Sequence, residues 1–409
     1  MFSAVHSDRS GRIVLAADWG AAMSDGAFDK PLAQAIPLPP GSEVVALTDR
    51  SATGLDRSGR PRPLGGGRWA VGAILPLGHL RIGLPAYAED PGAAALPPRA
   101  YAAVGADANG DLVVSAAVIE ANAGADTRGA PDLQARVNAS LRERPSSRLV
   151  RQLARCAREY RCRAAANAFL QVHDCALPVA APANEHPPVV IALHDDGDAS
   201  PNEPAAFRPT APEIADLAVA HLEGGGRLVA FGRACEGEPL LDARVVEAAI
   251  AAIRMRTARG AVHLETNGSL PVALRRSCDA GLDSVTFRIA SARAETYEVL
   301  HRPDGYRLTD VRASIAEAIS RKIAVAIALL VLPGLTDREV ELDAIVTLAG
   351  ELPPGSVLLL RGLAADPQRA LRLVRTGDAP FGMERALERL RVDASHLRIA
   401  ALPHPLVQV

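Results

Sequence analysis

The sequence predicts an α/β protein in which a partial or full (β/α) barrel of the TIM type follows a small β-rich domain. Short β-like runs, separated by glycine, proline and aspartate turns, fill residues 1–122. From about residue 175, short apolar runs alternate with amphipathic helical patterns, which is typical of a parallel sheet covered by helices. The number of these units in series favours a barrel, with a doubly wound sheet as the alternative.

These patterns divide the chain into three segments. The first segment, residues 1–122, contains five β-like runs at 12–16, 43–47, 69–74, 101–104 and 112–119. The second, residues 123–174, begins with a polar connection and continues into a helix predicted over 147–168, where Leu149, Leu153, Cys156 and Tyr160 recur at helical spacing. The third segment, residues 175–409, holds the predicted barrel and a C-terminal extension.

The predicted barrel alternates strand patterns with helix signals. Its clearest strands are predicted at 227–232, 262–268, 284–290, 324–334 and 356–362. Helix starts are indicated by a capping pair at Thr210 and Glu213, by Asp242, by Ser269 with Pro271, and by a second capping pair at Thr336 and Glu339. A further helix is predicted near 309–321, and residues 297–306 are predicted to be a long solvated loop that carries His301.

The composition indicates a globular protein and argues against a nucleic-acid partner. The 409 residues are 48% hydrophobic, and 45 Lys and Arg balance 47 Asp and Glu without a basic run. No apolar run reaches the roughly 20 residues that a membrane helix needs, and the first residues show no leader pattern, so we expect a cytoplasmic protein without a membrane partner. The five scattered cysteines fit reduced thiols. The composition identifies neither a small-molecule ligand nor a protein partner.

Candidate functional side chains follow the predicted strands, because barrel sites lie at the C-terminal ends of the strands. The strand at 227–232 leads into the loop GRACEGEPLL, which contains Glu236 and Glu238. The next strand supplies Glu265 and a T-N-G turn, and Arg288 and Ser291 follow later in the chain. Each feature alone is also explained by a turn or a solvated side chain. Their order along the chain is more specific than any one of them.

That order resembles the radical S-adenosylmethionine (SAM) superfamily over about residues 175–370. The matching motifs are G-x-x-C-E-G-E-P-L-L, E-T-N-G-S, G-L-D-S-V-T-F-R-I-A-S, H-R-P-D-G-Y and L-P-G-L-T-D. The resemblance implies a barrel that binds SAM and a [4Fe–4S] cluster. It assigns SAM contacts to Gly237, Glu238, Pro239, Asn267, Arg288, Ser291, Pro333 and Gly334.

The sequence departs from this family in the loop that would hold the cluster. Radical SAM enzymes hold three irons with the thiolates of C-x3-C-x2-C, and no such triplet occurs in this sequence. The resemblance places Ala183, Pro187 and Val190 at the three ligand positions. None of these side chains can bind iron, so the chain is predicted to lack the metal site of the family and to have no assignable catalytic residue.

Three functional hypotheses follow. The favoured one is a non-catalytic relative in which the barrel survives as a SAM-binding, nucleotide-binding or scaffolding protein. The second is an active radical enzyme whose cluster is held by Cys156, Cys162 and Cys175. The third is a redox-free enzyme that uses the carboxylates of Glu236, Glu238 and Glu265 for acid–base chemistry, which requires at least two of them to converge with displaced pKa values.

Overall fold

The computed structural model describes most of the chain. The described residues are 2–97, 99–121, 127–179, 182–189, 204–233, 235–363, 367–374, 378–402 and 406–407. Within these ranges, no helix has the length and apolar character needed to cross a membrane.

The N-terminal region is a β structure, as the sequence predicts. Its strands are β1 (Ser3–Ser7), β2 (Ile13–Ser24), β3 (Asp29–Pro31), β4 (Ile36–Pro37), β5 (Glu43–Leu55), β6 (Pro61–Pro63), β7 (Trp69–Ile74), β8 (His79–Arg81), β9 (Leu84–Pro85), β10 (Tyr87–Glu89), β11 (Tyr101–Ala106), β12 (Leu112–Val114) and β13 (Ala116–Val118). Eleven of the described strands form one sheet, whose main order is β10-β5-β2-β1-β7-β11-β12-β4, and β8 pairs with β13. The predicted run at 69–74 is confirmed, whereas β2 and β5 are longer than the predicted runs.

The segment after this sheet folds into three helices, α1 (Leu133–Glu143), α2 (Arg148–Arg158) and α3 (Arg163–Leu170). The prediction of one helix over 147–168 is wrong, because the chain breaks before α3, with Arg161 at φ 50 in the left-handed region. Helix α1 has no apolar stripe that would predict it, since Val137 is its only buried residue. The predicted domain boundaries at 122 and 174 stay predictions.

The C-terminal region contains a sheet of seven described parallel strands. They are β14 (Asp174–Leu177), β15 (Leu228–Phe231), β16 (Ala261–Thr266), β17 (Ser284–Ile289), β18 (Ala324–Val331), β19 (Val357–Gly362) and β20 (Arg398–Ala400). They lie in chain order from β14 to β20, and each neighbouring pair is parallel. A doubly wound sheet reverses its strand order at a switch point. The sequential order therefore corresponds to a partial (β/α) barrel and excludes that alternative.

Helices alternate with these strands. They are α4 (Ala211–Glu223), α5 (Ala243–Arg256), α6 (Pro271–Asp279), α7 (Ala294–His301), α8 (Leu308–Ser320), α9 (Glu339–Gly350), α10 (Pro367–Leu373) and α11 (Met383–Asp393). The capping box of Thr210 and Glu213 at α4 is confirmed. The second predicted capping pair is wrong: α9 starts directly after Arg338, and the Thr336 hydroxyl donates to the Leu330 carbonyl.

The predicted loop at 297–306 is also wrong in its first half, because α7 continues to His301. Tyr297, Leu300 and His301 are all buried. Their spacing of three and four residues is that of an amphipathic helix, so a helical signal was present in the sequence. It was outweighed by the polar residues that follow.

The strand pattern separates an apolar core from a polar inner face. Val229, Val262 and Phe287 belong to the main core cluster with residues of the helices. Residues one position away point to the other face of the sheet. There, the His263 Nδ1 atom lies 2.8 Å from the Ser284 hydroxyl, and Glu265 is in register with Thr286. This inner face leads to the C-terminal ends of the strands, where the candidate site lies.

The N-terminal region and the partial barrel are joined by hydrogen bonds of Arg81, in β8, and of Glu120, which follows β13. The Arg81 guanidinium donates to the Leu363 carbonyl at 3.2 Å, just after β19. The carboxylate of Glu120 accepts from the backbone N–H groups of Ala401 and Leu402, each at 2.8 Å. The last described strands of the barrel are therefore anchored on the β8–β13 pair of the N-terminal region.

Candidate functional site

Glu238 is the centre of a buried polar site at the C-terminal ends of β15, β16 and β17. Its side chain is only 1% exposed. One carboxylate oxygen accepts from the Thr266 hydroxyl at 2.6 Å, and the other accepts from the Asn267 backbone N–H at 2.8 Å. The Leu240 backbone N–H also donates to Glu238, at 3.0 Å. The carboxylate therefore ties together the loops that follow β15 and β16.

Burial raises the pKa of Glu238, although Arg288, the Thr266 hydroxyl and the two backbone N–H groups oppose this shift. A guanidinium nitrogen of Arg288 lies 3.5 Å from the Glu238 carboxylate and 3.9 Å from that of Glu185. The other terminal nitrogen donates to the Gly232 carbonyl at 3.4 Å. One buried guanidinium thus lies near two carboxylates, which belong to different loops.

Glu185 completes the site from the loop after β14. Its carboxylate lies 2.8 Å from the Nδ1 atom of His301 and accepts from the Tyr306 hydroxyl at 3.3 Å. Burial would raise the pKa of Glu185, but the hydrogen bond from His301 and the charge of Arg288 outweigh it and lower that pKa. Glu185 is therefore held as a carboxylate.

The hydrogen bonds of His301 fix its tautomer. The Ala290 backbone N–H donates to the Nε2 atom at 2.9 Å, so this nitrogen carries a lone pair. The proton consequently lies on Nδ1, which donates it to Glu185. The imidazole is neutral in this arrangement, and Arg288 is the positive charge that faces Glu185.

Residues 182–189 cover this site and are fastened to it mainly through backbone groups. The Pro182 carbonyl accepts from the Glu238 N–H at 2.8 Å, and the Asn184 carbonyl accepts from the Asp304 N–H at 2.8 Å. The His186 N–H donates to the His301 carbonyl at 3.0 Å. The Asn184 amide also bonds to the side chains of Asn267 and Ser269, at 2.8 and 3.0 Å. We call residues 182–189 the covering segment.

The covering segment leaves no room beside Gly237. A Cβ atom at this position would lie 2.1 Å from the Pro182 carbonyl oxygen and 2.4 Å from the Ala183 nitrogen. Both contacts are far shorter than van der Waals contact and involve backbone atoms. Gly237 is thus required for the close approach of the covering segment. Pro239 follows in the short 3-10 turn Pro239–Asp242.

The structure brings together only part of the predicted SAM-binding set. Gly237, Glu238, Asn267 and Arg288 surround the covered site. Ser291 instead donates to Glu341 of α9, at 2.6 Å. The role of these residues in binding SAM stays a prediction.

Pro333 and Gly334 follow β18 and lie against the N-terminal region. A Cβ atom at Gly334 would lie 2.5 Å from the Asp25 carbonyl oxygen, and one at Gly26 would lie 2.8 Å from the Pro333 carbonyl oxygen. The loop that the family resemblance assigns to adenine is therefore packed against residues 25–26 of the same chain.

Asp337 supports this loop and is a buried acid. Its side chain accepts from the Gly334 N–H at 2.7 Å, and burial raises its pKa to about 6. Because the folded-state pKa exceeds the unfolded value of 3.8, the folded state binds the proton more tightly, and stability falls as the pH rises from about 4 to above 6.

We expect Asp337→Asn to be more stable than the parent by up to about 3 kcal/mol at pH 7.5 and by only about 1 kcal/mol at pH 4.5. The amide oxygen still accepts from Gly334, but no buried charge forms. Denaturant unfolding at the two pH values measures the stability difference between the variant and the parent. Asp132→Asn, at an exposed position, should leave the pH dependence unchanged. Equal destabilisation of Asp337→Asn at both pH values would contradict the assignment.

The three cysteines of the displaced-ligand hypothesis lie in or against the core between the sheet and the helices. Cys175 lies in β14, is 0% exposed and belongs to the core between sheet and helices. Burial raises its pKa, which disfavours the thiolate that iron needs. Cys156, in α2, and Cys162, before α3, pack against the same core. Among the described residues, no three His, Cys, Asp or Glu side chains are grouped to hold a metal ion.

The predicted cluster positions do not fit an iron–sulfur cluster either. Ala183 and Pro187 lie in the covering segment, and Val190 lies outside the described residues. The covering segment contributes Asn184 and Glu185 to the site, and these side chains bond to Asn267 and His301. The two described positions thus carry no thiolate, and the residues between them bond to other parts of the protein.

The three carboxylates of the redox-free hypothesis are each engaged by other groups. Glu236 accepts from the Val179 N–H at 2.6 Å. Glu265 pairs with Arg233 at 3.3 Å, and Arg233 also pairs with Asp174 at 3.1 Å. These contacts hold loops and strands together, so they give the acid–base hypothesis no support.

Comparison with known proteins identifies a family for part of the chain. Residues 188–344 match the model of the Radical SAM superfamily. No curated protein matches the sequence. The matched residues begin after Ala183 and Pro187 and include Glu238, Arg288 and His301.

Solved structures of radical SAM proteins resemble the chain at low identity. The FeFe-hydrogenase maturase HydG from Carboxydothermus hydrogenoformans is 16% identical, with a TM-score of 0.40 over 65% of this chain and 68% of that chain. Methylornithine synthase (PylB) is 13% identical, with a TM-score of 0.39 over 56% of this chain and 68% of that chain. A structure of anSMEcpe with bound AdoMet is 13% identical, with a TM-score of 0.36 over 47% of this chain and 51% of that chain.

Proposed function

We propose that this chain, which contains a radical SAM domain at residues 188–344, is a cluster-free and non-catalytic relative that acts as a scaffold for a partner. One observation carries the proposal. The covering segment occupies the mouth of the partial barrel and bonds to Glu238, His301 and Asp304. Among the described residues, the mouth is covered by backbone of the same chain, which favours a scaffold over a reaction chamber.

The missing thiolates support the absence of a cluster. Three thiolates hold a [4Fe–4S] cluster in the family. The sequence has no cysteine between Cys175 and Cys235, which spans the loop after β14. The buried environment of Cys175 further disfavours the alternative set with Cys156 and Cys162.

The backbone contacts at Gly237 argue against tight SAM binding in the manner of the family. The Pro182 carbonyl already accepts the Glu238 N–H, and residues 182 and 183 fill the space beside Gly237. A SAM amino group could reach this loop only if the covering segment moved away. The bonds of Asn184 to Asn267 and Ser269 oppose this movement.

Anaerobic reconstitution with iron and sulfide tests the absence of a cluster. We expect less than one iron per chain after desalting and no absorbance shoulder near 400 nm. About four irons per chain, with that shoulder, would refute the proposal. A variant with serine at Cys156, Cys162 and Cys175 serves as the control, because loss of bound iron in this variant would establish the displaced-ligand hypothesis instead.

Calorimetry with SAM and S-adenosylhomocysteine tests whether the mouth is closed to the cofactor. We expect no saturable heat with either compound up to millimolar concentration. Saturable binding of both compounds by iron-free protein would favour a nucleotide-binding role over a scaffold.

A further inference from the structure

We propose that Arg288, His301 and Tyr306 form a carboxylate-binding site and that Glu185 is its internal occupant in this chain. The inference rests on the proposed function in one respect, namely that the covering segment carries no cluster. We call the three residues the carboxylate receptor. It binds a monocarboxylate when the Glu185 side chain is removed.

The geometry of Glu185 is that of a bound ligand. Its Oε2 atom receives the His301 Nδ1–H at 2.8 Å and the Tyr306 hydroxyl at 3.3 Å. Its Oε1 atom faces the Arg288 guanidinium at 3.9 Å. Oε2 thus receives two hydrogen bonds, from α7 and from the loop after it, and Oε1 faces a cation of β17 at ion-pair distance. Hydrogen bonds to an ionised group, such as the two at Oε2, form the stronger class.

Contacts other than Glu185 hold the receptor in place. The Ala290 N–H fixes the His301 ring, which stacks on Tyr297 with centroids 4.1 Å apart. The Tyr297 hydroxyl donates to the Tyr306 oxygen at 3.2 Å, which leaves the Tyr306 proton for the ligand. The Gly232 carbonyl holds Arg288. A site whose donors are already oriented loses little entropy when it binds an anion.

Burial distinguishes the receptor from its occupant. The side chains of His301 and Arg288 are 3% and 9% exposed, whereas that of Glu185 is 19% exposed. The receptor side chains are therefore more deeply buried than the Glu185 side chain, which lies between them and the solvent. Removal of the Glu185 side chain should leave a solvent-connected cavity lined by three donors.

Charge restricts the ligand to a single negative charge. His301 is neutral, so Arg288 supplies the only full positive charge among the three receptor residues, and it is shared with Glu238. A second negative charge on the ligand would face the Glu238 carboxylate without a counter-charge. Formate, acetate and propionate fit these conditions, whereas sulfate and phosphate do not.

In the parent protein, Glu185 should exclude free carboxylates. It is attached to a segment fastened at Pro182, Asn184 and His186, so its effective concentration at the receptor is far above that of a dissolved anion. We therefore expect saturable carboxylate binding only in a variant that lacks this side chain.

The test is chemical rescue of Glu185→Gly, measured by thermal unfolding at constant ionic strength. We expect a lower Tm than the parent and a saturable rise of roughly 2 °C with acetate, half-maximal at roughly 1 to 100 mM. Acetamide, which has the same shape without the charge, and sulfate should have no such effect. The parent and Glu185→Gln should not respond to acetate.

A second substitution locates the effect at the receptor. Adding Tyr306→Phe to Glu185→Gly removes one donor and should raise the half-maximal acetate concentration about 3- to 10-fold. If Glu185→Gly does not remain folded, its refolding yield in acetate is compared with that in acetamide. Equal effects of acetate and acetamide, or an equal response of the parent, would overturn the receptor. Neither result bears on iron content, so it would leave the proposed function standing.

Discussion

Arg288→Met is expected to lose about 3 to 5 kcal/mol of stability, because it leaves the carboxylates of Glu185 and Glu238 without their shared cation. Glu238 is 1% exposed and lies 3.5 Å from the guanidinium, so water cannot replace the lost charge. The methionine side chain has a similar length and preserves most of the packing. Denaturant unfolding measures the loss.

The pH dependence of the stability loss in Arg288→Met identifies the cause of that loss. Without Arg288, the folded-state pKa of Glu238, already raised by burial, should rise further. A raised acid pKa destabilises the folded state at high pH, so the deficit of Arg288→Met should shrink as the pH falls toward 5. Adding Glu238→Gln should restore part of the stability at pH 7.

Arg136→Met is the matched control, because Arg136 forms an exposed pair with Asp132 one helical turn away. We expect this change to cost less than about 0.5 kcal/mol. If Arg288→Met costs no more than Arg136→Met, then the two carboxylates are not buried around Arg288 as described.

Gly237→Ala is expected to cost about 3 kcal/mol or more, because its Cβ atom would overlap the backbone of the covering segment. The backbone at Gly237 does not have a positive φ, so strain of the residue itself does not contribute. The covering segment must therefore shift, which breaks the hydrogen bond between Glu238 and Pro182. Hydrogen exchange of the Glu238, His186 and Asp304 amides should accelerate together in this variant.

Gly129→Ala provides the comparison, since Gly129 also lacks a positive φ and has no atom within 4 Å of its added Cβ. Its stability should stay within about 0.5 kcal/mol of the parent. A tolerated Gly237→Ala, with unchanged exchange at Glu238, would show that residues 182–183 do not lie on this loop, and the proposed closure of the mouth would fail.

Much of the fold could be predicted because most of its strands and helices have a recognisable pattern in their own stretch of sequence. The strands β16 to β19 are short β-like runs of six to eight residues, and their predicted positions agree with the structure to within a few residues. The sequential order also followed from the number of alternating units. Helix α1 was missed because it buries little, and α7 because its apolar residues precede a polar motif.

The candidate site was less predictable because its key contacts join distant residues. Glu185 and His301 are 116 positions apart, and no local pattern around Glu185 marks it as a ligand of Arg288. The sequence did single out Glu238 and Arg288, since Glu238 follows a strand and Arg288 lies near the C-terminal end of one, at the barrel mouth. It could not show that residues 182–189 cover them, because that depends on backbone hydrogen bonds.

The contacts of residues 25–26 with Pro333 and Gly334 have a consequence for how the protein is made. Residues 25–26 leave the ribosome about 300 residues before the loop on which they pack. Arg81 and Glu120 likewise have hydrogen-bond partners late in the chain, at Leu363 and Ala401. The N-terminal region must therefore wait until residues 333–402 have been made before these contacts can form, and contacts of such long sequence separation are expected to slow folding.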